Sequence, residues 1–364
     1  FRRIVPDLPV TLLPAPHGRA RGLHPGEASP ANFPAMLATE GWDSAQTLTA
    51  LIEAWRSLFR LIAPDLLVAQ AAPTALLAAR GQGLGTVVLG SGYDNPPLAD
   101  PMPCFDRASA QARALAGPQE AAVLATANAA LGASGTEPAA RFRDIVAGDL
   151  SLLMTWAFVD HYAPRAEVQP DHPPYLGQLL AVSAGAERHW SGKGGARILA
   201  YLRPGSPAAQ AGFGALHRLG ARHDIILAAP GISDRDAATL RAAGVQVENG
   251  PVRLDRLVPD CALGISHASN GVAAVFAISG VPQIGLPTHR EQALCARSVA
   301  RAGLGLGMEG NYDAEAVIDT VRYALKSERI RRAVRDARLN PDTENGRSAA
   351  ARAAAKILEF MGDR

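Results

Sequence analysis

The stretch ISHASNGVAAVFAISGVPQIGLPTHREQALCARSVARAGLGLG, residues 265–307, decides the fold of the second half of the chain. It begins as the end of an apolar strand, passes through a polar loop at 267–271 and continues as an apolar helix. A second short strand ends at Pro287, and the polar run HREQ at 289–292 then opens another helix. This alternation of short apolar strands with helices is typical of a parallel sheet with crossover helices.

Both polar runs lie where a strand gives way to a helix. Ligands of open parallel sheets bind there, because free backbone N–H groups and the positive end of the helix dipole favour an anion such as phosphate. Ser269 or Asn270 can cap the first helix, and Gly271 lets a phosphate approach the backbone. Glu291 and Gln292 offer a carboxylate and an amide, which suit vicinal sugar hydroxyls. Each run alone fits a plain cap or a solvated helical turn, but together they favour a ligand site.

The same alternation runs through most of the chain. The predicted strands are LPVTLLPAP, DLLVAQ, GTVVLGSG and DLSLLMTWAFVDHY in the first half, and ARILAYL, DIILAAP, VQVENG, CALGISH and VPQIGLP in the second. Helices are predicted over 44–62, in PTALLAARGQG, over 108–132 and over 314–361. The predicted fold class is α/β, with two Rossmann-like doubly wound domains facing across a cleft. Its predicted parts are a first domain at 1–177, a linker at 178–195, a second domain at 196–345, and a helix at 346–364 that packs back on the first domain.

Composition narrows the classes of function. The length of 364 residues favours two domains, and 48% hydrophobic with 19% charged residues is an ordinary globular balance. A net charge of +2 gives no electrostatic footprint for nucleic acid. Cys104, Cys261 and Cys295 are too widely spaced for a metal or redox pair, which predicts a reducing, cytoplasmic compartment. We expect no transmembrane segment and no signal peptide, since no long apolar run is present. We also expect no metal.

The segment 267–307 resembles the donor-binding signature of the GT-B glycosyltransferases, which include the UDP-glucuronosyltransferases and bacterial macrolide glycosyltransferases. Their pattern is H-G-G-x-G-T, an apolar helix, G-V-P, a strand ending in Pro, D-Q or E-Q, and a helix ending in Gly. The spacing from His267 through Gly280-Val281-Pro282 and Pro287 to Glu291-Gln292 matches without a gap. Weaker similarity covers most of the chain, including APDLLVAQAAPTALLAARGQGLGTVVLGSG, ILAYLRPGSP and VQVENGPVRLDRLVPD.

The resemblance implies an inverting transfer of a sugar from a UDP- or TDP-sugar to a hydroxyl of a hydrophobic small molecule or lipid. It implies a nucleotide-sugar co-substrate without a further cofactor, in a monomer or homodimer. The residues that it assigns to the donor are His267, Ser269, Asn270 and Gly271 for the diphosphate, Glu291, Gln292 and His289 for the sugar, and Arg203, Pro251 and Val252 for the nucleoside. Candidates for the acceptor wall are Trp42, Tyr93 and Phe105.

Three departures from the family pattern bear on activity. Ala268-Ser269 replaces Gly-Gly, and Val272 replaces a Thr whose hydroxyl usually meets a phosphate oxygen. The loop thereby loses backbone freedom and one hydrogen bond, each contributing on the order of 1 kcal/mol. Gln70 stands where many members place an Asp that orients the catalytic His, and Gln stabilises a charged imidazole less well. The family's first strand and general-base His are not seen, and the chain is expected to begin just before the third strand. His17 follows the wrong strand for that role, so the general base stays unassigned.

Two other functions remain open from the sequence. The loss of Gly-Gly, Thr and Asp suits a non-catalytic homologue that binds a nucleotide or a partner protein. A nucleotide-sugar epimerase or hydrolase can share the scaffold, although no convincing acid–base pair of carboxylates is visible. Transfer from a labelled nucleotide sugar supports the transferase, whereas a gain of turnover on Gln70→Asp excludes the non-catalytic alternative.

Overall fold

The structure is a computed structural model that describes residues 10–23, 27–178, 180, 182–310, 312–338 and 349–363. Two compact units divide this part of the chain. The first contains the described residues up to Val88 together with Leu98–Ser151, and the second contains Leu89–Pro97 and the described residues from Leu152 onward.

The first unit contains β1 and the starts of β2 and β3, which form a three-stranded sheet with the order β1-β2-β3. Its strands are β1 (Leu66–Ala69), β2 (Gly85–Gly90) and β3 (Leu150–Leu153), and β1 pairs with β2 in parallel. The helices are α1 (Phe33–Leu37), α2 (Ala45–Ile62), α3 (Pro73–Ala79), α4 (Ala110–Ala133) and α5 (Arg143–Val146). The Ser44 side chain accepts from the Thr47 N–H at 3.2 Å and caps α2.

One predicted strand of this half is wrong in its described part. Residues 10–16 of LPVTLLPAP form irregular backbone, while residues 8 and 9 lie outside the described residues. Val10, Leu12 and Leu13 are 53%, 37% and 44% exposed, so no apolar face is buried. Pro14 and Pro16 also lack the N–H groups that a sheet requires.

The second unit contains a six-stranded sheet with the order β6-β5-β4-β7-β8-β9, and every neighbouring pair is parallel. The strands are β4 (Arg197–Tyr201), β5 (Asp224–Ala228), β6 (Val245–Glu248), β7 (Leu263–Ser266), β8 (Gln283–Gly285) and β9 (Gly305–Gly307). The helices are α6 (Pro207–Leu219), α7 (Asp234–Ala242), α8 (Leu254–Leu257), α9 (Asn270–Ile278), α10 (Arg290–Arg301), α11 (Ala314–Lys326), α12 (Glu328–Arg338) and α13 (Ala349–Gly362). The order reverses at β4 and β7, which is the usual ligand-binding point of a doubly wound sheet.

The buried strands of this sheet explain their continuous apolar sequences. Ile198 and Ala200 of β4 pack in one cluster with Leu216 of α6, while Leu199 packs in a second cluster with Phe276 of α9. Successive side chains of a strand point to opposite faces, so a sheet covered on both faces needs apolar residues throughout. The five predicted strands of this half are confirmed, whereas the glycine-rich β9 was not predicted.

The second compact unit takes in the described residues from Leu152, because the segment after β3 packs with the second sheet's helices. Val159 lies in one core cluster with Ala273 and Ala277 of α9. Arg352 of α13 donates a hydrogen bond to the carbonyl of Leu176, in the segment that the sequence analysis placed at the end of the first domain. The limits at 177, 195 and 345 stay predictions about the order of domains along the chain.

Candidate functional site

The loops after β4, β7 and β8 meet at the point where the strand order reverses. His267 follows β7, and its Nε2 accepts a hydrogen bond from the backbone N–H of Arg203, which follows β4, at 2.9 Å. Nδ1 lies 2.7 Å from the carbonyl oxygen of Leu286, which follows β8. Because Nε2 is the acceptor, we assign the ring proton to Nδ1. The His267 ring therefore ties three neighbouring loops together.

This placement differs from the role that the resemblance gives to His267. Both ring nitrogens bond to backbone groups, and the residue is only 7% exposed. His267 thus supports the site by holding its loops, and a direct bond from its ring to a diphosphate stays a prediction.

We expect His267→Ala to lower the free energy of unfolding by about 2–4 kcal/mol. The Arg203 N–H and the Leu286 carbonyl lose a buried partner, and the ring volume is left empty. Urea unfolding followed by circular dichroism measures the change. The matched control is His17→Ala, since His17 is exposed and its ring contacts the Ala15 carbonyl at 3.1 Å. A loss for His267→Ala as small as that of the control contradicts the supporting role.

Helix α9 begins directly after this loop. Ser269 occupies the N-cap position but makes no side-chain capping bond, so the predicted Ser269 cap is not formed. Ala268 has a φ of 59°, in the left-handed region where a non-glycine residue costs about 1–2 kcal/mol. Its position is the one where the resembling family has Gly. A Cβ added at Gly271 would meet no atom within 4 Å, so open space lies beside the first turn of α9.

Two side chains from the segment after β3 reach the first turn of α9. The Thr155 hydroxyl donates to Asn270 Oδ1 at 3.3 Å. The Gln178 amide, oriented so that its oxygen faces a donor, accepts from the Gly271 N–H at 3.2 Å and donates to the Asn270 carbonyl at 3.2 Å. These contacts fix Asn270 and occupy one backbone donor of the predicted diphosphate site.

The predicted sugar-binding residues lie at the start of α10. Burial raises the pKa of the Glu291 carboxyl, with a further rise from the negative charge of Asp94. The Glu291 carboxylate receives no hydrogen bond from any residue that the structure describes. Gln292 Oε1 accepts from the Thr288 N–H and hydroxyl, both at 2.9 Å, while its amide N–H groups bond to none of the described residues. Glu291 and the Gln292 amide thus keep hydrogen-bonding capacity for a ligand.

His289 is the N-cap residue of α10 and makes no side-chain capping bond. Burial lowers the pKa of its imidazole, and the neighbouring His267 lowers it further. The ring is therefore neutral at pH 7, where it can both donate and accept a hydrogen bond. This state suits the predicted contact with sugar hydroxyls better than a contact with a phosphate charge.

Asp94 adds a second carboxylate that the sequence analysis did not single out. It lies on the loop after β2, within the Leu89–Pro97 segment of the second unit. Burial raises the pKa of Asp94, an effect opposed by the Ser91 hydroxyl, which donates to Asp94 Oδ2 at 3.3 Å. The negative charge of Asp94 contributes, after burial, to the raised pKa of the Glu291 carboxyl.

The predicted nucleoside residues include an extended segment at Pro251 and Val252. Ala186 pairs beside Val252, with its N–H donating to the Pro251 carbonyl at 2.8 Å and its carbonyl accepting from the Arg253 N–H at 3.0 Å. Because backbone groups alternate in direction along an extended chain, the N–H and C=O of Val252 point away from Ala186. Val252 is only 2% exposed, so a contact between its backbone and a nucleoside base stays a prediction. The third predicted residue, Arg203, has an exposed side chain after β4.

The structure corrects the predicted acceptor wall at two of its three residues. Trp42 is 1% exposed, and its indole N–H donates to the Thr74 hydroxyl at 3.1 Å. Phe105 is 7% exposed. Both side chains are core residues, because packing rather than a ligand covers them. Tyr93 is half-buried, with its ring centroid 6.1 Å from that of His161, and Gln70 lies exposed after β1.

A buried ion pair holds together the segments that carry Asp94, Thr155, Gln178 and Glu291. Arg165 Nε donates to Asp160 Oδ2 at 2.6 Å, and both side chains are at most 1% exposed. Arg165 Nη2 also donates to the Asn95 carbonyl at 2.7 Å, beside Asp94. Tyr175 donates its hydroxyl to Asp160 Oδ2 at 2.9 Å, and Arg301 of α10 donates to the Asp160 carbonyl at 3.2 Å. This cluster links the Asp94 loop, the Thr155–Gln178 segment and helix α10.

Sequence reasoning missed Asp94, Thr155 and Gln178 although part of the signal was present. Asp94 and Thr155 follow the carboxyl ends of β2 and β3, so the strand-end rule that was used for the second half would have found them if used for the first half as well. Gln178 carries no such signal, since it follows a patternless run.

Two absences apply to the part of the chain that the structure describes. In these residues, no helix combines the length and the apolar character that a bilayer crossing requires. Likewise, no three His, Cys, Asp or Glu side chains of the described ranges come together as a metal site. The predicted independence from metal stays a prediction.

No protein-family model matches the chain. Glycosyltransferase GtfC of Amycolatopsis orientalis is 29% identical over 150 residues, which are 38% of this chain and 37% of that protein. The chain thus spans just over a third of the length of the curated relative that it matches.

Solved structures are similar over much more of the chain. The calicheamicin glycosyltransferase CalG4 has a TM-score of 0.65 at 17% identity, covering 87% of this chain and 78% of its own. Glycosyltransferase VinC in complex with dTDP has a TM-score of 0.63 at 15% identity, covering 91% and 82%. The glycotransferase of kitacinnamycin has a TM-score of 0.62 at 17% identity, covering 91% and 85%. The chain therefore has the GT-B fold, the α/β fold of these antibiotic glycosyltransferases.

Proposed function

We propose that this protein transfers a sugar from a nucleoside diphosphate sugar to a hydroxyl of a hydrophobic acceptor. One observation carries the proposal. Helices α9 and α10 start after β7 and β8, which are neighbouring parallel strands, so their N-termini lie side by side at one sheet edge. The first offers backbone N–H groups with open space beside Gly271, and the second offers Glu291 and the Gln292 amide. A diphosphate and its attached sugar match this order of groups.

We assign different residues of the site to the base, the diphosphate and the sugar of the donor. The segment at Pro251 and Val252 is assigned to the base by the resemblance alone, and the first turn of α9 receives the diphosphate. As the bond to the sugar breaks, negative charge develops on the leaving diphosphate, and N–H groups fixed at a helix N-terminus stabilise that charge. Glu291 and Gln292 hold the sugar in position. The general base and the inverting course of transfer rest on the resemblance and are assigned to no described residue.

The donor is proposed to be a TDP- or UDP-sugar. Among the similar structures, VinC and the spinosyn rhamnosyltransferase SpnG are complexes with thymidine diphosphate. The acceptor class rests on the antibiotics named for the similar enzymes, such as calicheamicin. The test incubates the chain with TDP- and UDP-sugars and hydrophobic alcohols, and follows release of the nucleoside diphosphate and glycoside by chromatography. Proton spectra of the product give its anomeric configuration. Release of no diphosphate, with or without acceptor, contradicts the proposal.

Gly271→Val separates binding from stability. The added side chain fills the open space beside α9, so we expect the Kd for TDP or UDP to rise at least about tenfold through loss of close phosphate contact. The fold is not destabilised, since Gly is a poor helix former. The matched control is Gly132→Val in α4, where a Cβ likewise meets no atom within 4 Å. Calorimetric titration measures both variants, and equal affinity for TDP contradicts a phosphate site at α9.

A further inference from the structure

The Gly271 N–H, which the proposed function gives to the donor diphosphate, already has a partner within the chain. With the Gln178 amide oriented so that its oxygen faces a donor, that oxygen lies 3.2 Å from the Gly271 nitrogen and 3.3 Å from Asn270 Oδ1, and the amide nitrogen lies 3.2 Å from the Asn270 carbonyl oxygen. Ser269, the usual source of such a bond, makes no side-chain cap. A side chain distant in sequence thus supplies the acceptor that the start of α9 requires.

The backbone around Gln178 is held on several sides. The Leu176 N–H donates to the Leu153 carbonyl at 2.8 Å, and the Gly177 N–H donates to the Thr155 carbonyl at 3.1 Å. Arg352 of α13 donates to the Leu176 carbonyl. Gly177 has a φ of 77°, and a Cβ there would lie 3.0 Å from the Trp156 ring. These contacts aim the Gln178 side chain at α9, so its placement is part of the fold.

We propose that Gln178 is a further residue of the donor site, whose amide oxygen holds the place of a phosphate oxygen until the donor displaces it. The inference rests on the proposed function and names a residue that controls occupancy of the same site. An amide oxygen and a phosphate oxygen accept from the same N–H, so both cannot bind at once. The exchange favours the diphosphate, because a bond to a charged acceptor is roughly twice as strong as a neutral one and the helix dipole favours an anion.

Displacement of Gln178 also changes the surroundings of Asn270. The Asn270 carbonyl loses the amide donor and Asn270 Oδ1 loses its contact with the Gln178 amide oxygen, while the Thr155 hydroxyl still donates to Asn270 Oδ1. Thr155 therefore keeps Asn270 oriented while Gln178 moves. In this way the start of α9 stays fixed in both the donor-free and the donor-bound protein.

The test is calorimetric titration of TDP, UDP and inorganic pyrophosphate into the full chain and two variants. Gln178→Ala removes the competing acceptor, so we expect the Kd for these anions to fall about three- to tenfold. Gln178→Glu places a negative charge at the helix N-terminus, which repels the anion, so the Kd rises at least about tenfold. Thymidine and uridine carry no phosphate, and their affinity changes in neither variant.

The matched control is Gln210→Ala, which removes an exposed Gln on α6 and leaves all affinities unchanged. If Gln178→Ala does not fold, Gln178→Asn tests the same point, since its amide is one methylene too short to reach Gly271. An unchanged or higher Kd for TDP in Gln178→Ala, with binding by the wild type, overturns the inference and leaves the proposed function standing. Binding by Gln178→Ala alone supports the inference. Binding of no anion by any of the proteins overturns both.

Discussion

Glu291→Gln lowers kcat/KM for sugar transfer by at least about 100-fold while the stability of the protein does not fall. The Glu291 carboxylate has no hydrogen bond to a described residue, so its loss removes no contact that holds the fold. Two hydrogen bonds that sugar hydroxyls donate to the charged carboxylate contribute about 1.5–3 kcal/mol each, and a neutral amide replaces this acceptor poorly. A steady-state transfer assay and thermal unfolding measure the two effects.

The sign of the pH dependence follows from the raised pKa of Glu291. Accepting two sugar hydroxyls requires the ionised form, so wild-type activity falls as the pH drops through this raised pKa, and the Glu291→Gln variant lacks that limb. For stability, the folded state binds the proton more tightly than the unfolded chain does. The charge on Glu291 therefore destabilises the folded protein above the unfolded pKa, and removing it raises stability at neutral pH.

The control for this prediction is Glu315→Gln. Glu315 is an exposed carboxylate that pairs with Arg218, and such surface pairs contribute at most about 1 kcal/mol. Glu315→Gln removes the same charge, and we expect it to leave kcat/KM for sugar transfer unchanged. If Glu291→Gln keeps more than half of the wild-type kcat/KM, Glu291 does not bind the donor sugar.

Arg165→Leu lowers the free energy of unfolding by about 3–5 kcal/mol, the largest stability effect that we expect. The change leaves the Asp160 carboxylate buried without its cation, and the Asn95 carbonyl loses its donor. Tyr175 still donates to Asp160, but a hydroxyl does not neutralise a buried charge. Urea unfolding at neutral pH measures the loss.

Arg322→Leu serves as the control for that change. Arg322 pairs with Asp319 at 2.9 Å on the surface of α11, where both side chains are more than half exposed. We expect its loss to cost less than about 0.5 kcal/mol. If the two variants unfold at similar urea concentrations, the buried pair does not hold the Asp94 loop and the Gln178 segment in place.

The sequence predicted most of the fold because the doubly wound sheet has a strong local signal. The second half alternates buried strands with capped helices, and β4 to β8 lie where the apolar runs predict them. LPVTLLPAP failed because its apolar residues face no partner, a tertiary fact that a short pattern does not contain. β9 was missed because Gly305–Gly307 takes its strand conformation from pairing with β8, and three residues carry too little pattern.

The candidate site was predicted less completely, for a related reason. Strand ends are where ligands of such sheets bind, so His267, Asn270 and Glu291 were predicted, but the bonding partner of each side chain depends on distant chain segments. His267 bonds to backbone groups of Arg203 and Leu286, which no local motif indicates. Trp42 was taken for a ligand-facing loop residue, although a large aromatic side chain is more often core.

The departure at Ala268 illustrates what a motif alone does not decide. The left-handed backbone that usually calls for Gly is kept, with an Ala φ of 59°, so the loop retains its path at the expense of strain. Val272 packs against the core cluster that contains Leu199 of β4 and Phe276 of α9. The resembling glycosyltransferases have at this position a Thr whose hydroxyl meets a phosphate oxygen. The N–H groups of the first turn therefore remain as the anion-binding groups.

Calorimetric titration of the full chain with TDP, UDP and the nucleosides thymidine and uridine tests the central claim most directly. The claim is that the first turn of α9 binds the diphosphate. It predicts that TDP or UDP binds at micromolar strength and that the matching nucleoside binds at least about 100-fold more weakly. Equal affinity for nucleoside and nucleotide, or binding of neither, contradicts it.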